Sequence, residues 1–274
     1  MVNWYADIRG RQISVVHIKD PKKQRDLLLA ALQIYEDRIP DNEKDGPEDI
    51  IRWIEEVKQE TSHGNCKLMD YFLVAKVANH VAGFAYAHLY PSAQMAFFSY
   101  LVVKRPVKDH NRLPNILPSE ERVSVKLLDT LAAELRRTGI CKAIVVELEE
   151  PDTITDRRRK LKAAARIRHL KSLAGTQGVF LRSVDIPYKQ PRLRLDDPEA
   201  TEERLRLMIA FVRPPEQRRE ITRDDIAEVL AFLADCIYGD QFEDDPRLYE
   251  RYHAYLRQWQ ADQMRTVPKV VRLK

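Results

Sequence analysis

Glycine is scarce in this chain, with 8 in 274 residues and none between Gly83 and Gly139. A tight turn that cradles an anion normally uses residues without a side chain, so this long stretch holds no glycine-rich phosphate cradle. No P-loop, dinucleotide GxGxxG or GxSxG elbow occurs anywhere, which disfavours NTPase, oxidoreductase and hydrolase chemistry. Cysteine is scarcer still: Cys66, Cys141 and Cys236 are far apart, odd in number and free of any CxxC pair. That usage points to a reducing cytoplasm and excludes a zinc site built on cysteine and histidine. The 7 histidines form no HExxH or other compact ligand set, so no metal is expected. No apolar run approaches the ~20 residues needed to cross a bilayer, and charged residues stand within the first dozen positions, so neither secretion nor a membrane is expected.

Charge of a single sign is also missing. The formal net charge of +4 comes from 46 basic and 42 acidic residues, an excess too mild to imply nucleic acid by itself. What is present is an ordinary hydrophobic content of 44%, enough for one large domain with an appendage or two modest ones. Ile13 to Ile18 is rich in β-branched residues and reads as a strand, followed by a helical pattern over Leu27 to Tyr35. Pro47 suits the first turn of a second helix carrying Ile50, Ile51, Ile54 and Val57. Leu68 to Val77 and Val81 to Tyr90 read as a hairpin, and Met95 to Lys104 as a further strand. Ser119 can cap a helix striped by Val123, Leu127, Leu128, Leu131 and Leu135, which Gly139 ends before a strand at Ala143 to Leu148.

A basic, alanine-rich helix is expected over residues 155–174, then strands at Val179 to Ile186 and Arg204 to Val212. Pro214-Pro215 marks a boundary, giving an α/β domain over residues 1–213 and a helical C-terminal extension over 214–274. The first helix of that extension starts at a capping-box-like Thr222 to Asp225 and carries Ile226, Val229, Leu230, Leu233 and Ile237. The second starts at Pro246 and carries Leu248, Tyr252, Tyr255, Leu256 and Trp259, an aromatic stripe suited to packing on the core or to a homodimer contact. The tail after Met264 suits either a docked strand or a loose end.

Several stretches resemble the GCN5-related N-acetyltransferase (GNAT) family. Val81-Ala82-Gly83-Phe84-Ala85 is similar to that family's third strand, Ser99-Tyr100-Leu101-Val102-Val103 to its fourth, and Lys126-Leu127-Leu128-Asp129 to its third helix. Tyr35 to Trp53 resembles one wall of the acceptor site, and Asp185 to Pro191 a segment that follows a strand in some bacterial members. The resemblance covers roughly residues 13–212. It implies a GNAT-like mixed central sheet flanked by helices, and an acyl-CoA-dependent N-acetyltransferase using acetyl-CoA or another acyl-CoA on a small-molecule or peptide amine. At the family's Q/R-x-x-G-x-G/A signature, this chain has Ser119, Arg122 and Ser124 in place of the Q/R and the two glycines. Glu120 and Glu121 already complement the helix dipole there, while Arg122 and Lys126 supply positive charge.

On that resemblance, Leu101, Val102, Val103, Arg122, Val123, Ser124 and Lys126 are the candidate cofactor residues, and Glu36, Arg38 and Glu43 border the acceptor. Glu147 is the candidate base because it interrupts an apolar strand, with an acidic strand end that continues through Glu149 and Glu150 as the plainer reading. The family's tyrosine acid has no counterpart in Ile167 to Ser172, which leaves Tyr188 or His169 for that role. The basic run Arg157 to Lys160, continued by Lys162, Arg166, Arg168 and Lys171, spreads around its helix without interleaved aromatics, so a solvated face is expected rather than a nucleic-acid site. The alternative to catalysis is a degenerate GNAT-fold protein that acts as a binding or assembly module.

Overall fold

The computed structural model describes residues 12–39, 45–57, 68–78, 80–104, 120–172, 181–184, 186, 188–192, 203–212, 221–239 and 245–271. Strand β1 (Ile13–His17) leads to helices α1 (Arg25–Arg38) and α2 (Pro47–Val57), then to β2 (Met69–Val77), β3 (His80–Tyr90) and β4 (Met95–Val103). Helix α3 (Glu120–Arg137), β5 (Ala143–Glu149), α4 (Arg157–Ser172), β6 (Leu181–Ser183) and β7 (Leu205–Phe211) follow. After them come β8 (Ile221–Thr222), α5 (Arg223–Phe232), a π-helical turn (Leu233–Ile237), α6 (Pro246–Thr266) and β9 (Val270–Val271). From β1 to β7 the order and type of these elements are those that the sequence pattern implies.

Seven strands hydrogen-bond in the order β1-β2-β3-β4-β5-β7-β6. β1 runs antiparallel to β2 from Ile13↔Val77 to His17↔Leu73. β4 and β5 are parallel, and their ladder holds Met95↔Ala143, Ala96↔Ile144 and Phe97↔Val145. β5 then pairs antiparallel with β7 along its whole length, from Ala143↔Phe211 to Glu149↔Leu205. The sheet is therefore mixed, and β5 is buried on both sides of its first half, which explains its unbroken apolar run Ala143 to Val146.

By contacts the chain divides into two compact units, one of residues 1–61, 69–88 and 99–138 and the other of 62–68, 89–98 and 139–274. In the first, Leu28, Leu32 and Tyr35 of α1 and Ile50 and Ile54 of α2 bury against Phe72, Val74, Phe84 and Val102. Gly139 has φ 68, the left-handed conformation that ends a helix without a Cβ penalty, as expected after α3. In the second unit, Val145, Leu207 and Ile209 pack with Ile226, Val229, Leu230 and Leu233 and with Tyr252, Leu256 and Trp259. Each such side chain contributes roughly 1.5–3 kcal/mol by leaving water, so the aromatic stripe of α6 is core within this unit.

The structure differs from the sequence reading at several places. The α-periodic pattern runs through Ile237, yet the helix widens into a π-turn at Leu233, because hydrophobic spacing alone does not separate the two repeats. The tail forms a docked strand, with β9 pairing β8 through Ile221↔Val271 and Thr222↔Val270. Cys236 is disulfide-bonded, which corrects the expectation of a chain with reduced cysteines only. Cys141 is a buried thiol that donates to the Ala143 carbonyl at 3.4 Å. The boundary at Pro214-Pro215, Glu43 and Ser119 lie outside the described residues, as do the side chains of Glu120, Glu121 and His169.

Candidate active site

Glu147 sits where β5 passes from its buried half to its end, opposite Leu207 of β7. The Tyr188 hydroxyl donates to Glu147 Oε1, and the Tyr238 hydroxyl donates to Oε2 at 2.5 Å. Tyr188 follows β6 and is held by main-chain bonds from its N–H to the Ile186 carbonyl (2.8 Å) and from the Leu205 N–H to its own carbonyl (3.2 Å). Tyr238 ends the π-turn, its N–H donating to the Leu233 carbonyl at 2.9 Å. Trp259 stands edge-on to both rings, with centroids 6.1 Å from Tyr188 and 6.4 Å from Tyr238. Its indole N–H donates to the Lys189 carbonyl at 2.8 Å, so the tryptophan is fixed in place.

Glu147 as a residue is partly exposed, while its carboxylate is enclosed by these phenols. Burial raises its pKa above the ordinary carboxylate value, and the hydrogen bonds from Tyr188 and Tyr238 oppose that rise. Burial likewise pushes both phenols well above the ordinary tyrosine value, and the Glu147 charge adds to it. Both phenols therefore stay protonated at neutral pH and act as donors. A carboxylate whose basicity is raised in this way is a better proton acceptor near neutrality than an exposed one.

The acidic strand end now divides into two kinds of carboxylate. Glu149 binds Arg159 at 2.9 Å and Arg166 at 3.2 Å, both from α4. Glu150 binds Arg206 of β7 at 2.6 Å. Glu147 is met by neutral hydroxyls instead, so it alone of the three is held without a formal countercharge among the described residues. A cleft of ≈ 370 Å³ lies beside Glu149, Glu150, Asp156, Arg159 and Arg204, but Glu149 and Glu150 are the carboxylates already neutralised by arginine. Lys160 of α4 also has a partner, Asp152 at 3.2 Å.

The cofactor candidates all belong to the first unit. Leu101 is half-buried, and Val102 and Val103 are buried. The Lys104 N–H donates to the Ala82 carbonyl at 2.8 Å, which ties this end of β4 to β3. Residues Ser99 to Val103 lie beyond the three-pair ladder with β5. On α3, Arg122 and Lys126 are exposed four residues apart and share a face, while Val123 and Ser124 are buried.

Among the acceptor candidates, Glu36 and Arg38 occupy the last turn of α1. Their neighbour Tyr35 is fully buried, and its hydroxyl oxygen accepts from the Asp45 N–H at 2.7 Å. The Tyr100 hydroxyl donates to Asp45 Oδ2 at 2.5 Å, and the two rings meet edge-on with centroids 5.0 Å apart. Burial raises the pKa of both phenols. The sequence reading missed Asp45 and Tyr238, which are drawn in by residues 55 and 91 positions away. Only a tyrosine at a helix stop, immediately before Gly239, could have flagged the second.

Among the described residues no group of His, Cys, Asp or Glu is arranged to hold a metal ion, and no helix is long and apolar enough to cross a membrane. No protein-family profile and no curated protein matches the chain. Among solved structures it is similar to a Salmonella typhimurium protein assigned as an acetyltransferase and holding acetyl-CoA, at 16% identity over 76% of this chain and 98% of that one, with TM-score 0.43. An aminoglycoside 6'-N-acetyltransferase from Enterococcus faecium is similar at 12% identity over 75% and 99%, with TM-score 0.44. The ribosomal-protein-S18-alanine N-acetyltransferase of Escherichia coli is similar at 13% identity over 77% and 100%, with TM-score 0.41.

Proposed function

We propose that this chain is an acyl-CoA-dependent N-acyltransferase acting on an amine, a small molecule or a peptide, with Glu147 as its base. The observation that carries this reading is the enclosed Glu147 carboxylate, held by two phenol donors and raised in basicity, at the end of the strand where the GNAT resemblance puts the base. Bound acyl-CoA would supply the activated carbonyl that an amine attacks. Arg122 and Lys126 would hold its phosphates, and the main chain of Leu101, Val102 and Val103 would bond its amides, with Val123 and Ser124 packed behind. Glu147 would take the amine proton directly or through one water, since two of its roughly four acceptor sites remain after the phenols are counted. The amine nitrogen would bond the acyl carbon as the carbon–sulfur bond breaks, and the protonated Glu147 would return its proton to the departing CoA thiolate, while Tyr188 keeps the carboxylate oriented.

The reading is tested by thermal shift with CoA and acetyl-CoA, and by thiol release with a panel of amines. Stabilisation that is weakened by Arg122→Ala and Lys126→Ala, together with amine-dependent thiol release lost in Glu147→Gln, supports it. Absence of stabilisation at millimolar ligand across several salts overturns it. The second reading, a scaffold that binds without catalysis, is favoured by the glycine-free start of α3 and the burial of Ser124, and the same failure to respond to CoA would support it.

A further inference from the structure

Helices α5 and α6 follow the residues that carry the GNAT resemblance, and the resemblance assigns them no role. Their contacts within the second unit assign one. The π-turn Leu233–Ile237 inserts an extra residue into the helix end, and its i-to-i+5 bond from the Tyr238 N–H to the Leu233 carbonyl fixes where Tyr238 leaves the helix. Gly239 follows at once, and a Cβ there would stand 2.5 Å from the Asp235 carbonyl oxygen, so only glycine lets the chain fold back this closely. The Gly239 carbonyl is in turn bonded to His253 Nε2 of α6 at 3.0 Å. Trp259 of the same helix covers the Tyr238 ring. Two helices and a distorted turn thus converge to aim a single hydroxyl.

We infer that the C-terminal helices are part of the reaction site, supplying Tyr238 as a positioning residue that holds the second oxygen of Glu147 while Tyr188 holds the first. The inference rests on the proposed role of Glu147 as base. With one phenol on each oxygen, the carboxylate cannot rotate, and its remaining lone pairs point in fixed directions. Among the described residues, the groups that face it are Tyr188 from the segment after β6, Tyr238 from the π-turn and apolar Leu207 from β7. Gln190 backs Tyr238, and Arg159, Arg166 and Arg206 are engaged by Glu149 and Glu150. Removing the Tyr238 hydroxyl deletes a donor to the ionised carboxylate, so the proton affinity of Glu147 rises.

The experiment titrates the side-chain carboxyls of the full-length, ligand-free protein by 13C NMR, with Glu147 assigned through Glu147→Gln. Tyr238→Phe should move the Glu147 midpoint upward, with Tyr188→Phe moving it the same way. The acid limb of the pH–rate profile should follow, lowering kcat/KM about tenfold at neutral pH with recovery in alkali. Gly239→Ala, which keeps the phenol but displaces the turn, should reproduce the upward shift and serves if the phenylalanine variant does not fold. An unchanged midpoint in a folded variant overturns the inference. A shifted midpoint in a protein that transfers no acyl group would instead sustain the positioning and overturn the proposed reaction.

Discussion

Arg206 of β7 grips Glu150, the residue that follows β5, at 2.6 Å, with the carboxylate side chain 5% exposed and the guanidinium side chain 19%. Removing one partner of such a pair leaves an uncompensated buried charge. Arg206→Ala should therefore destabilise the protein by about 3–5 kcal/mol, read from urea midpoints. Arg159→Ala, whose partner Glu149 keeps Arg166, should cost less than about 1 kcal/mol.

Glu147 gives a pH signature of opposite sign to that of an ion-paired carboxylate. Its folded pKa is raised, so the folded state binds more protons than the unfolded one between the ordinary carboxylate value and the folded value. Its contribution is fully present below the ordinary value and is lost as pH rises through the folded value. Relative to Glu147→Gln, the wild type should lose stability across that window. Denaturation curves at a series of pH values measure it, and a flat difference would contradict the assignment.

Thr222 accepts from the Asp225 N–H at 3.2 Å while Asp225 Oδ2 accepts from the Thr222 N–H at 2.7 Å, a reciprocal cap at the start of α5. Thr222→Ala should cost roughly 1 kcal/mol of stability by thermal melting. Because α5 leads directly to the π-turn, the same variant should show greater amide exchange there than elsewhere in the unit.

The strands were legible where their composition is uniform. Phe72 to Val77 and Phe84 to Tyr90 are apolar on both faces apart from Lys76 and His88, as suits buried strands, and they lie in β2 and β3. The end of α3 was legible because Gly139 supplies a conformation that other residues resist. β8 was not, since two residues are too few to show alternation, and β9 was one of two readings of the tail. Glu147 was picked out as an interruption in an apolar run and Tyr188 as a candidate acid, and the two share a hydrogen bond. What escaped was the pairing of Glu147 with Tyr238, because periodicity reports which face a residue occupies and not which distant residue it meets. The π-turn escaped for a related reason: Leu233 and Ile237 fit an α stripe as well as a π one.

A π-turn stores one residue beyond the regular helical count, so excising any one residue from Leu233–Ile237 would let the backbone relax into a plain spiral. Everything downstream would then swing by about 100° around the axis, carrying Tyr238 off its target without altering a single retained letter. Chain length at this point is thus constrained as tightly as side-chain identity, and variants bearing a deletion here should retain helix content while forfeiting the oriented carboxylate.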